Sequence, residues 1–492
     1  MPVSAADVST GSASLRVIDA GTGGETPARI HLTDLGGSVV KVAGFPWWHD
    51  HFVVPGAATV TLPAGDYRCV VERGPEYRPA QGAFTVRANE TTELEVRVER
   101  FVDMPTRGWW PGDLHVHRPL DDIEILMRAE DLRIAPVITW WNTRNVWKDR
   151  PASADTLVRF DNDRFYDVMA GEDERNGGAF LYFGAGAPVD LSTCDKEWPS
   201  PLAILDQAKR ACPNLWIDIE KPFWWDVPAA IAQGLCSSIG LANNHMCRNK
   251  MYESEAWGKP RDPARLPSPR GNGYWSQDIY YELLNCGVRI PPSAGSASGV
   301  LPNPVGYNRV YVQIDGALTW GSWWDGLRAG RSFVTNGPML VVQANGQWPG
   351  HVFASNGAIE IALSAEITSL DTIPYIEVIK NGAIDHTVPF ADWQRTGSLG
   401  TLRFDESGWF LVRAVTDNPK TFRFASTAPY YVEVGAHTTR ISRASAQSIL
   451  AWVRERMARI QHDDPAKRDE ILAHHRAADA FWADRVKRAN AK

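Results

Sequence analysis

Between Gly108 and Gly337, short apolar runs of strand character (APVITWW, AFLYFGAG, LWIDIE, SSIGLANN, RVYVQI) alternate with stretches of helical character such as DDIEILMRAEDL, PLAILDQAKRAC and SQDIYYELLNCG. A helix between two strands lets the chain return and pair in parallel, so this region is expected to form a barrel-like or layered α/β unit. Its site should lie at the C-terminal ends of the strands. The flanks differ in kind. From Ala13 to about Arg100 the pattern is short, alternating and punctuated by turns, as in ATVTLPAGDYRCVVERG, which predicts a β-sandwich. After Gly337-Pro338 a second β-rich stretch, with AIEIALSAEI, YIEVIKNG and WFLVRAVTD, predicts another sandwich. From about Ser442 the period becomes helical, which predicts one or two packed helices. For 492 residues, four parts follow: a sandwich over 1–105, a central domain over 106–338, a second sandwich over 339–438 and a helical tail over 439–492.

The net charge of −7 and the lack of a Lys/Arg-rich run speak against a nucleic-acid partner or an anionic membrane surface. A small-molecule substrate is expected instead. No apolar run of about 18 residues marks a membrane span. The N-terminal MPVSAADVSTGSASLRV lacks the features of a signal peptide, so the chain as given fits a soluble protein, cytoplasmic or exported after removal of a signal. Six cysteines form no C-x-x-C pair. Oligomeric state is not written in the sequence. The 21 tryptophans, many in pairs such as Trp47-Trp48, Trp140-Trp141 and Trp224-Trp225, either fill cores and seams or form a flat pocket for a sugar or aromatic ligand.

The sharpest chemistry is in RGWWPGDLHVHRPLDD. His115 and His117, two apart in an extended segment, project to one face and can reach a single ion about 2 Å away. In IDIEKPFWWD, Asp218 and Glu220 share a strand face with Lys221 opposite. Either carboxylate is a candidate ligand, a partner that orients a ligating histidine, or a general base, with Lys221 a further catalytic candidate. His245, in the polar stretch GLANNHMCR after an apolar run, is a candidate third imidazole. Arg118, Trp141, Asn142, Asn244, Arg248 and Arg309 lie beside these motifs and are candidates for holding an oxygen-rich substrate. Glu174 follows Glu172 by two residues and shares its face. His49 and His51 repeat the His-x-His spacing within a polar and aromatic island, read as loop chemistry or a domain contact.

GDLHVHR resembles the first motif of PHP-type phosphoesterases, and the wider pattern resembles the CehA/McbA family of metallohydrolases within that superfamily. GEDERNGGAFLYFGAG resembles the segment that carries a metal-bridging Glu, here Glu172. PSAGSASGVLPNPVGYNRVYV and GLRAGRSFVTNGPML resemble the closing segments, so the likeness runs collinearly over about 108–340. It implies an α/β, PHP-like distorted (β/α) barrel flanked by the two sandwiches and the tail. Two departures stand out. Where the family shows Thr-Asp-His-Asn this chain has Thr139-Trp140-Trp141-Asn142, and where it shows Gly-Ser-Asp-x-His this chain has Gly295-Ser296-Ala297-Ser298-Gly299. Fewer ligands imply one divalent metal ion, Zn, Mn or Fe, held by His115, His117, Glu172 and His245. The expected activity is a metal-dependent hydrolase acting on an ester-like or glycosidic bond of a carbohydrate or aromatic small molecule. The alternatives are a metal-assisted carbohydrate lyase or isomerase, and a non-catalytic binding protein on the same fold.

Overall fold

The computed structural model describes residues 9–149, 151 and 155–492; the reading of the first eight residues lies outside them. The chain builds a mixed α/β structure dominated by β-sheet. In the N-terminal part the alternation seen in the sequence becomes two packed sheets. One contains Thr10–Asp19 beside Ala57–Pro63 and Thr91–Arg100, the other Ala28–Asp34 beside His51–Val54 and Gly65–Glu72. Leu15, Val17, Ile30, Phe52, Val71 and Val98 fill the space between them, as one buried face per sheet requires.

In the central region the extended segment Trp109–His117 is paired on both sides. Gly112 and Val116 bridge in parallel to Ile134 and Val137 of the strand Ile134–Trp141. On the other side Leu114 and His117 donate their N–H groups to the carbonyls of Ala294 and Ser298, 3.0 and 2.8 Å away. From Ile134–Trp141 the pairing continues to Arg164–Arg175 (parallel), Gly178–Phe183 and Trp216–Ile219 (both antiparallel), Ser238–Ala242 (parallel) and Pro292–Ala294 (parallel). It thus returns to the segment from which it began. One departure from the expected parallel order has a local cause. Asn176-Gly177 forms a two-residue connection, so Arg164–Arg175 and Gly178–Phe183 are a hairpin and not a crossover pair.

The C-terminal part is not separated from this sheet: Ser332–Thr335 pairs with Phe424–Thr427. A three-stranded sheet, Met339–Ala344, Ile359–Thr368 and Ser398–Phe404, packs over it through Leu340, Ile361, Leu402 and Phe410. The tail is two helices, Arg443–Arg459 and Pro465–Arg488. Buried Arg456 and His475 from these helices converge on Asp226 of the central region, at 2.7 and 3.1 Å. Four of the paired tryptophans, Trp109, Trp140, Trp224 and Trp323, are fully buried core residues. All six cysteines are free. Among the described residues no helix is long and apolar enough to cross a membrane.

Candidate metal centre

His115 and His117 leave the same extended segment and place their Nε2 atoms 2.9 Å apart. Glu172 reaches them from Arg164–Arg175, with Oε2 at 3.1 Å from His117 Nε2 and 3.5 Å from His115 Nε2. All three residues are nearly enclosed, and their donor atoms lie within 4.8 Å of one another. Donors bound at about 2.0–2.2 Å around a tetrahedral cation are separated by roughly 3.3 Å, and the triangle seen has edges close to that length. Glu172 Oε2 is buried and makes no hydrogen bond of good geometry, although both imidazole nitrogens lie within 3.5 Å of it. A buried carboxylate oxygen with no well-placed donor is costly unless a cation meets it. The donor set therefore fits a divalent ion with three protein ligands.

Glycine backbone makes room for this arrangement. A Cβ on Gly295 would lie 2.5 Å from His115 Cβ, and one on Gly299 would lie 2.6 Å from the His117 carbonyl. The segment Gly295–Gly299 thus packs directly on the histidine pair. Beneath it, Asp113 accepts the N–H groups of His115, Ser296 and Gly306 at 3.0, 3.0 and 2.6 Å and fixes the course of the backbone.

Glu220 lies behind His115, with Oε1 at 3.6 Å from Nδ1. A carboxylate on the far ring nitrogen is the usual means of orienting a ligating histidine. Lys221, Trp224 Nε1 and Asn244 Nδ2 all donate to Glu220, so Lys221 and Asn244 hold this carboxylate. Burial depresses the pKa of His115, but Glu172 and Glu220 outweigh it and raise the net value. For His117 burial prevails and lowers it. Burial also raises Glu172, yet both imidazoles hold it well down as the anion. Asp218 is remote from solvent, where burial pushes it up to about 7 while the Ser238 and Ser293 hydroxyls donate to it.

The remaining candidates separate into three groups. His245 is not in the set of mutually close donors; its ring packs between Phe223 and Tyr252, and its Nδ1 has no hydrogen bond. Trp141 and Asn142 border the centre. The Trp141 ring lies 5.0 Å from that of His117. Asn142, at φ 50°, exchanges two hydrogen bonds with the Glu174 backbone. The three arginines are engaged elsewhere. Arg118 donates to the Trp47 carbonyl, Arg248 to Glu72 and Arg309 to the carbonyls of Gly306 and Glu130. The first two join the N-terminal sandwich to the central region, and the third lies within the central region.

A cavity of about 420 Å³ has Asn142, Glu174, Lys196 and Trp257 in its wall; Asn142 follows Trp141 and Glu174 lies two residues from Glu172, while none of the three donors lines it. Burial, together with the Glu172 and Glu220 carboxylates, pushes Glu174 up to about 8. Trp257 is 48% exposed, and its other face stacks on Trp224 at 4.8 Å. Trp257 escaped the sequence reading because nothing local separates it from the buried tryptophans.

No protein-family model and no curated protein matches the chain. Among solved structures, it is similar over 19% of its length to the minor pilin GBS52 of Streptococcus agalactiae, at 19% identity and a TM-score of 0.17, covering 46% of that chain. The major pilin BcpA of Bacillus cereus also matches 19% of this chain, at 22% identity and 0.16, covering 30% of its own. The Bacillus anthracis TIE protein matches 23%, at 19% identity and 0.16, covering 20% of its own. Each likeness spans less than half of the neighbour's length.

Proposed function

We propose that this protein is a metal-dependent hydrolase with a mononuclear centre at His115, His117 and Glu172, acting on an ester-like or glycosidic bond of a carbohydrate or aromatic small molecule. One observation carries the proposal: two enclosed imidazole nitrogens 2.9 Å apart stand 3.1 and 3.5 Å from one buried carboxylate oxygen, the spacing of ligands around a small cation. The pairing that returns to the histidine segment supports the PHP-like distorted barrel as its scaffold. The segment 295–299, which has Ala297 and Gly299 where the resembled motif has Asp and His, packs on the histidines themselves, which favours one ion over a multinuclear cluster.

A bound divalent cation supplies Lewis acidity and an acidified water. The chain supplies the rest. Glu220, held by Lys221, Trp224 and Asn244, orients the His115 ring. Trp141 packs beside His117 and restricts water there. Glu174, at the cavity wall, is the group placed to take or return a proton at its carboxyl, and Trp257 offers a flat apolar face to a sugar or aromatic ring. Asp218 lies within the core, where the Ser238 and Ser293 hydroxyls donate to it, and takes no part in transfer at the mouth.

The test is elemental analysis of protein purified without chelator, followed by a screen of aryl esters, glycosides and phosphoesters with metal restored. The proposal expects stoichiometric metal and hydrolysis that are both lost in His115→Ala/His117→Ala. Metal-independent turnover, or efficient aryl phosphate hydrolysis as the main activity, overturns it.

A further inference from the structure

A second group of metal-type donors lies in the N-terminal sandwich, independent of the centre above. The strands Ala28–Asp34 and His51–Val54 pair antiparallel, with Ile30 opposite Phe52. The next step of that register sets His31 against His51. Their rings lie 5.2 Å apart, tilted by 53°. Asp50 faces both: Oδ2 is 3.3 Å from His31 Nδ1 and Oδ1 is 2.9 Å from His51 Nδ1. The donor atoms all lie within 4.8 Å of one another, and both histidines are buried. We propose that His31, His51 and Asp50 form a second binding site for a divalent cation of the zinc type.

Three features support it. The separations of 2.9 and 3.3 Å are those of neighbouring ligands around a small cation. His31 turns its other nitrogen to Glu72, with Nε2 3.3 Å from Oε2. A carboxylate behind a ligating imidazole is the usual partner of such a ligand, and this one is fixed by Arg29 and Arg248. Two imidazoles and one carboxylate suit a borderline cation better than calcium or magnesium, which prefer oxygen.

The ion would act on the docking of the sandwich. Trp47–Trp48 pairs with His51–Val54. Trp48 Nε1 donates to the Leu301 carbonyl at 2.8 Å, and Arg118 donates to the Trp47 carbonyl at 3.1 Å with its guanidinium over the Trp48 ring. Arg118 follows His117 in the chain, and Leu301 follows the segment that packs on it. An ion tying His31 to Asp50 and His51 fixes this hairpin against the segment that carries the central histidines.

The experiment uses the full chain, loaded with Zn²⁺, freed of excess by gel filtration and analysed for metal per chain. The variants are His31→Ala/His51→Ala, Asp50→Asn and His115→Ala/His117→Ala, with thermal unfolding followed with and without Zn²⁺. The proposal expects His115→Ala/His117→Ala to retain one Zn²⁺ and a Zn²⁺-dependent rise in Tm. Adding Asp50→Asn, nearly isosteric and free of the truncation of two buried rings, should abolish both. A metal-free His115→Ala/His117→Ala protein, or a zinc count unchanged by Asp50→Asn and by the His31/His51 change, overturns it. Because the site is read in the background lacking the central histidines, failure of the central centre gives a different result: wild type then carries one ion, lost on Asp50→Asn.

Discussion

The two histidine and carboxylate groups use similar donors on different scaffolds. In the central group two imidazoles come from one extended segment and the carboxylate from another strand, on which Glu174, two residues on, lines a cavity of about 420 Å³. In the N-terminal group the imidazoles face each other across two hydrogen-bonded strands, and both oxygens of Asp50 are engaged. The cavity behind it, bordered by Arg29 and Glu72, measures about 100 Å³, too small for a substrate. Donor chemistry alone therefore does not distinguish a reacting centre from a clamp; the larger cavity that Glu174 lines, two residues from a donor, favours the central group as the reacting one.

The largest effect expected is on turnover. His115→Ala/His117→Ala should lower kcat/KM by about a thousandfold or more, since a catalytic ion contributes several kcal/mol. Steady-state kinetics on the best substrate of the screen checks this, and an equal loss in Asp50→Asn would erase the distinction between the two groups.

The next concerns Asp218, a buried acid beneath the central group; its counterpart at the other is Glu130, which burial also pushes up to about 7 but which Arg29 meets directly. The folded pKa of Asp218, about 7, lies above that of an unfolded Asp, about 3.9. The fold thus holds the proton more tightly than the unfolded chain does. Its contribution to stability is complete below about pH 4 and is lost as pH rises to about 7, by up to roughly 4 kcal/mol. Asp218→Asn should gain stability relative to wild type across that window, as read from Tm against pH. Parallel curves for the two proteins would refute this.

Glu220→Gln should then weaken metal binding at the central group by about 10–100-fold and leave the N-terminal ion in place, as measured by competition with a chelating dye. The smallest effect expected is from Gly171→Ala. Its Cβ would fall 1.8 Å from Trp140 Cε2, and the displacement, next to Glu172, should cost about 1–3 kcal/mol in denaturant unfolding. An unchanged midpoint would show that Trp140 moves freely.

Much of the architecture is legible in periodicity. The two-residue period of the outer segments and the helical period of the tail correspond to packed sheets and helices, because each is set by which face is buried. The expectation for His115, His117 and Glu172 rested on strand period and on the family resemblance, and their donor atoms lie within 4.8 Å. The rest depends on pairing between distant segments. Polar neighbours made His245 a candidate ligand, but polarity in a loop does not reveal its packing between Phe223 and Tyr252. Arg118 and Arg248 stand beside motifs in the sequence and at a seam in the fold, and Arg309 is buried within the central region. His31 drew no attention within ARIHLTDL because its partner is defined by strand register, whereas His51 was grouped with its sequence neighbour His49.

Crystallographic anomalous scattering on zinc-loaded protein addresses the central claim most directly. A strong peak bonded to His115 Nε2, His117 Nε2 and a Glu172 oxygen is the predicted result. Zinc-saturated crystals with ordered side chains at these three positions and no anomalous peak between them would contradict it.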